Sequence, residues 1–303
     1  MPNAYNIISG AIDLHCHGGP DTFKRPFDIA ELARDAKRCG MRALLIKNHF
    51  LCNADATGIV NAHVDGVSVF GGITLNHPIG GLNPHAVYAA ARVGAKEVKL
   101  PTLHATNHLQ NNNGSAWSPM LFALSDAPAH DELLRKPKKG ISLLDENGKL
   151  VTAVHDIFDI VKSENMILST GHIGLQEIMT VVREARDAGV KRICVNHAEN
   201  YNTRVPVKMQ VELAEMGAYI EHCFNCCMPV YYEEGKLNPA EIAHNCKEVG
   251  AAQSVLSTDF GQPYNPCPSD GMRFYVETML KHGIGGRDIE VMIKENPTHL
   301  LGL

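Results

Sequence analysis

Two rhythms of apolar and polar positions alternate along the chain. Short, nearly continuous apolar runs recur at 11–17, 42–49, 67–76, 95–102, 166–172, 192–198, 219–225 and 254–261. Runs of this length, without strict alternation, predict strands buried on both faces, as in a parallel sheet. Stretches with helical spacing separate almost all of them, and these carry start and stop signals. Asp28 and Glu31 have the spacing of a capping box at the head of Ala30-Glu31-Leu32-Ala33. Asn83-Pro84 reads as an N-cap with proline at the first helical position. Gly40, Gly94, Gly189, Gly217 and Gly250 each stand between a helical stretch and the next strand. That is where a left-handed residue closes a helix.

Alternating strands and helices argue for an α/β fold with a parallel sheet. Eight such units predict a single (β/α)8 TIM barrel, one domain over 1–303. No Gly-x-Gly-x-x-Gly follows the first strand, which speaks against an open dinucleotide-binding sheet. The longest break in the rhythm is 103–150, a predicted insertion after strand four. It holds Asn111-Asn112-Asn113-Gly114, the only tryptophan, Trp117, and the basic run Arg135-Lys136-Pro137-Lys138-Lys139. A hairpin is predicted over 141–150, turning at Asn147-Gly148. An excursion of this length after a barrel strand would lie over the C-terminal face as an active-site loop or lid, with Trp117 shaping the pocket. The basic run reads as a solvated face.

Composition narrows the class. Hydrophobic residues make up 45% and charged residues 20%, with a net charge of -5, as expected of a soluble globular protein. With both signs interspersed and no basic patch, nucleic acid is not an expected partner. No apolar run approaches the roughly 18 residues of a membrane span, and the N-terminus lacks a secretory pattern. Nine scattered cysteines suggest reduced thiols and a cytoplasmic location. Cys223 and Cys226 form a CxxC without a second pair, so they read as buried thiols and not as a structural zinc site.

The candidate chemistry sits where apolar runs end. Ala11-Ile12-Asp13-Leu14-His15-Cys16-His17 puts two imidazoles at i and i+2, on one face of a strand. Strand two ends in Lys47 and His49. Strand four carries Lys99, strand five ends in His172, strand six in His197, strand seven carries His222, and strand eight ends in Ser257-Thr258-Asp259. In a barrel these ends converge on one mouth. Imidazole and carboxylate suit zinc, nickel, iron or manganese better than calcium or magnesium.

This ordered pattern resembles the amidohydrolase superfamily, including phosphotriesterase-like enzymes and dihydroorotases. The positions that match its metal ligands are His15, His17, Lys99, His172, His197 and Asp259. The ending Glu295-Asn296-Pro297-Thr298-His299-Leu300-Leu301-Gly302 is similar to the superfamily's Asn-Pro-Ala-x-x-Leu-Gly closure. The resemblance implies a buried metal on His15, His17 and Asp259, a more exposed one on His172 and His197, and a carboxylated Lys99 between them. Burial near cations would lower the pKa of such a lysine and open it to carbon dioxide. Lys47 competes for that role, and either lysine could instead bind an anionic substrate group.

The expected protein is a metal-dependent hydrolase with one or two divalent transition metal ions, zinc foremost. A metal-activated water would attack a carbonyl centre in a cyclic amide, lactone or other amide or ester, with Asp259 taking its proton. Lys47, His49, His104 and His222 are candidate substrate contacts, and His108 lies beside them. Phosphoester hydrolysis and metal-dependent decarboxylation are alternatives within the enzyme class. A non-catalytic barrel that binds a metal or small ligand is the alternative outside it. A small-molecule substrate and a homo-oligomer complete the expectation.

Overall fold

Each predicted apolar run contains a strand. The computed structural model describes residues 7–116, 132–229 and 236–303. Its strands are β1 (Ile12–Cys16), β2 (Ala43–Ile46), β3 (Ser68–Phe70), β4 (Gly72–Thr74), β5 (Glu97–Lys99), β6 (Ile167–Ser169), β7 (Ile193–Val195), β8 (Tyr219–Cys223) and β9 (Ser254–Ser257). All pair in parallel with their neighbours. Helices return the chain between them, among them Ile29–Arg38, Ala54–Asn61, Pro84–Arg92, Leu175–Asp187 and Pro268–Lys281. The Asp28 capping box forms as predicted. Its carboxylate accepts the Glu31 N–H at 2.7 Å, and Glu31 accepts the Asp28 N–H at 2.8 Å. The Asn83 side chain caps the helix that Pro84 opens.

The regular pairing makes two parallel sheets, β1–β2–β3 and β4–β5–β6–β7–β8–β9, in place of the unbroken ring the sequence predicts. The third predicted strand is cut at Gly71, so that its first half pairs with β2 and its second half with β5. The cut has a cause. Asn53 inserts its side chain at the end of β2. Its Nδ2 donates to the Ile46 carbonyl (2.9 Å) and its Oδ1 accepts the Gly72 N–H (2.9 Å). A side-chain amide thus stands where ladder bonds between β2 and β4 would be.

The other seam lies between the first and last strands. The Asp259 N–H donates to the His15 carbonyl and the His17 N–H to the Phe260 carbonyl, both at 2.7 Å. Below them the Asp13 carboxylate accepts the Thr258 N–H at 3.1 Å and the Thr258 hydroxyl. Gly261 makes this approach feasible. At its φ of +124°, an added Cβ would sit 2.0 Å from the His17 carbonyl oxygen.

One face of the sheets packs Ile12, Leu14, Ala43, Leu45, Ile167 and Val255 against Leu300 and Leu301 of the C-terminal helix. The opposite faces bury larger clusters under the surrounding helices. Within 103–150, the described parts form helices Thr106–Asn111 and Glu132–Arg135 and a small antiparallel turn. Leu144 bridges Leu150, and Gly148 is left-handed as expected of Asn147-Gly148. Trp117 lies outside the described residues. Among the described residues, no helix is long and apolar enough to cross a membrane.

Replacing Asn53 with alanine would leave the Ile46 carbonyl and the Gly72 N–H buried and unpaired. At about 1–3 kcal/mol for each orphaned group, Asn53→Ala is expected to lower stability in urea unfolding by about 2–6 kcal/mol. An unchanged midpoint would mean that the seam does not depend on this amide.

Candidate active site

His15 of β1 and His17, one residue past its end, reach the inner face by a bulge. Ile12 and Leu14 point to the inner cluster and Cys16 to an outer one. Strict alternation would send His15 outward with Asp13. The β1–β2 register shifts between Asp13 and Cys16, and a bulge changes the phase of the residues beyond it. His15 and His17 then face Asp259. His15 Nε2 lies 3.2 Å and His17 Nε2 3.0 Å from the same oxygen, Asp259 Oδ1. Asp259 and His197 both have left-handed backbones, with φ of 54° and 30°. Such strain is kept where surrounding bonds enforce it. At Asp259 the enforcing bond is the one from its N–H to His15. At His197 the carbonyl accepts both the Asn200 N–H (2.8 Å) and the Thr203 hydroxyl (2.9 Å).

More imidazoles continue around the mouth. The His197 ring lies 5.6 Å from His15 and 4.8 Å from His172, and His49 lies 5.3 Å from His17. Hydrogen bonds set the tautomers of two of these rings. His108 Nε2 must donate to the Ala116 carbonyl (2.9 Å), so in the neutral ring its Nδ1 accepts the proton of His172 Nδ1 (2.8 Å). This turns the His172 Nε2 lone pair free. Likewise His15 Nδ1 donates to Glu221 Oε2 at 3.0 Å, which leaves its Nε2 as a lone pair. A carboxylate or carbonyl behind a ligating histidine is the arrangement that orients metal ligands.

The donor set fits a divalent transition metal. His15 Nε2 and both ring nitrogens of His197 are buried without a hydrogen-bond partner. His15, His17 and Asp259 bring ligating atoms within 4.8 Å of one another. Burial holds His17 and His172 well below the usual imidazole range, and burial together with the Lys47 charge holds His197 at about 3. Neutral rings offer lone pairs at pH 7. Burial works against the Asp259 charge, but His15, His17 and Lys47 outweigh it and keep the carboxyl well below its usual range. Arg25 adds one condition. Its Nη2 donates to His17 Nδ1 at 3.0 Å, so the neutral ring carries its proton on Nε2. Ligation by His17 requires that proton to leave or Arg25 to withdraw.

The structure divides the other candidates. Lys47 and His49 line the same cleft as His17, His172, His197 and Asp259. His108 lines it too, through its bond to His172. Lys99 does not reach the cleft wall. It lies in the layer beneath, 3.0 Å from Glu97. Burial opposes its charge, but Glu97 and Glu221 outweigh burial and hold the ammonium above its usual range. The lowered pKa expected of a carboxylated lysine is therefore not found at Lys99. It is found at Lys47, which burial brings down to about 8 against the pull of Asp259. His104 is tied at both nitrogens, to the His77 N–H (3.1 Å) and the Leu134 carbonyl (2.7 Å). His222 faces outward from β8. Its Nδ1 pairs with Glu199 at 2.7 Å, and Asn245 bonds the same carboxylate oxygen at 2.9 Å.

Glu221 is the residue that the sequence pattern did not single out. Along β8 the side chains alternate, so His222 and Ile220 share the outer face while Glu221 points in. Asn196 Nδ2 also donates to Glu221 Oε2, at 3.0 Å. The available signal was the two-residue period of Tyr219-Ile220-Glu221-His222-Cys223, with Ile220 marking the outer side. Cys223 and Cys226 are buried and form no disulfide, and Cys223 Sγ lies 3.8 Å from His15 Nδ1, in a group with His15 and Glu221 whose atoms could hold a metal ion.

A model of a family described as "Family of unknown function (DUF6282)" matches residues 10–221. No curated protein matches the sequence. Solved structures match over nearly the whole chain. An amidohydrolase from Pseudomonas aeruginosa is 11% identical with a TM-score of 0.62, covering 99% of this chain and 98% of its own. The probable dipeptidase PvdM from the same organism is 12% identical with a TM-score of 0.64, covering 99% and 96%. An organophosphorus hydrolase from Deinococcus radiodurans is 16% identical with a TM-score of 0.60, covering 97% and 93%. At these identities the likeness establishes a shared fold.

These contacts predict two outcomes. Glu221→Gln should weaken binding of an added divalent transition metal about 10–100-fold, the usual effect of losing a carboxylate behind a ligating histidine; chelator competition measures it, and an unchanged affinity would remove Glu221 from the site. The His222–Glu199 pair should appear in the pH dependence of stability. Burial opposes the His222 charge, but Cys246 and Glu199 outweigh it and raise its pKa well above the usual value. A raised pKa contributes stability that is complete below the unfolded value of about 6.5 and is lost as pH rises through the folded one. His222→Gln should therefore cost most near pH 6, about 3 kcal/mol for a broken buried pair, and progressively less in alkali. A cost that is flat with pH would contradict this.

Proposed function

The chain belongs to the DUF6282 family of unknown function, and from that premise we propose that it is a metal-dependent hydrolase of the amidohydrolase type. The observation that carries the reading is the convergence of His15, His17 and Asp259 beside the unpartnered nitrogens of His197. Zinc is the ion this donor set suits, and a bound zinc would activate water and polarise a carbonyl. The substrate is a cyclic amide, lactone or other amide or ester. We read the two parallel sheets as arcs of one (β/α)8 barrel, with backbone bonds joining the first and last strands and Asn53 spanning the other seam. The cleft then opens at the C-terminal ends of the strands, where barrel enzymes keep their chemistry. The segment 103–150 borders it through Leu103 and His108.

The contacts support the following roles. Asp259 directs Oδ1 to His15 and His17. Its Oδ2 lies 3.4 Å from Asn225 Nδ2 and is the oxygen available to take a proton from water and return it to the leaving group. His15 is oriented by Glu221, and His172 by His108. Burial of all these groups strengthens the charges inside the site.

Two measurements test the reading. A chelator should abolish turnover on a panel of lactones and amides, and zinc should restore it. Asp259→Asn should lower kcat at least a hundredfold on the same substrates. Full turnover in the metal-free protein, or in Asp259→Asn, would overturn the assignment.

A further inference from the structure

Lys47 continues the inward positions of β2. Ala43 and Leu45 belong to the inner cluster, and two residues on, Lys47 reaches the cleft wall at 4% exposure. Among the described residues no carboxylate lies within ion-pair distance of it. The other buried cations near the site are both paired. Lys99 is held by Glu97 at 3.0 Å and Arg25 by Asp21 at 2.7 Å. Asp259, the one carboxylate on the cleft wall among the described residues, is committed to His15 and His17. Burying an ammonium without a counter-charge costs several kcal/mol. A stable fold keeps such a group where a ligand supplies the missing charge.

Among the described residues the wall offers polar groups but no second unpaired cation. Asn200, Asn202, Asn225 and Gln262 contribute neutral amides. A single point charge among amides matches a singly charged acid. A phosphate dianion calls for a fork of donors or several cations. The buried polar lining of the cleft suits a small molecule. We propose that Lys47 anchors a carboxylate on a small substrate, so that the site selects an acid over its neutral amide. The fate of the bound molecule rests on the hydrolase reading; its capture by Lys47 does not.

Equilibrium binding to the full-length chain tests this at pH 7, first metal-free and then zinc-loaded. The probes are succinate, glutarate, glutaramide and inorganic phosphate. Succinate or glutarate should bind the wild type, and at least tenfold more weakly to Lys47→Met and Lys47→Gln, while glutaramide should not distinguish the three proteins. Equal diacid binding by wild type and variants would overturn the proposal, as would no diacid binding to the wild type or tighter binding of phosphate. Should neither variant fold, the wild type decides alone: equal affinity for glutarate and glutaramide refutes the anchor. Because binding is read in metal-free protein, a negative turnover result leaves this test intact, and a negative result here leaves the hydrolase reading intact.

Discussion

The site depends on the seam where the first strand meets the last. Two backbone hydrogen bonds of 2.7 Å, from Asp259 to His15 and from His17 to Phe260, join segments more than two hundred residues apart. They do more than link the sheets. They hold Asp259 in a left-handed conformation and set its carboxylate against the imidazoles of His15 and His17. The bulge in β1 turns both rings inward, and Gly261 leaves room for the His17 carbonyl. Asp13, bonded to Thr258, locks the register from the outer side.

Beneath that seam lies a buried electrostatic layer. Glu221 orients His15 and shares its charge with Lys99, which Glu97 also holds. Burial penalises each of these charges separately, and only their mutual pairing makes the layer tolerable. The chain thus separates two lysines that look alike. Lys99 is a structural cation, neutralised from two sides. Lys47, one layer higher, faces the cleft with its charge uncompensated. The same logic separates the histidines. His15, backed by Glu221, turns Nε2 toward Asp259, and His172, backed by His108, lines the cleft. His104 has both nitrogens tied to backbone groups, and His222 is committed to Glu199.

Much of the architecture was legible before any coordinates. Strand positions follow from apolar runs, because a strand covered on both faces tolerates little else. The Asp28 and Asn83 caps and the Asn147-Gly148 turn depend on neighbours within a few residues, so local chemistry decides them. The split of the third predicted strand was not legible, because it is made by Asn53, a residue outside that strand.

By itself the sequence determined the alternation of strands and helices, the parallel pairing class, and the gathering of histidines and Asp259 at strand ends. Those features arise from periodicity and from residue types suited to a metal. Tertiary structure alone decided which side of each strand faces the cleft. It moved His15 inward through a bulge, exchanged His222 for Glu221 on β8, and assigned Lys47 rather than Lys99 to the wall. The physical reason is that a two-residue period gives the spacing of side chains but not their phase. Phase is set by contacts between strands distant in the chain, and so are the charges that decide which lysine is paired.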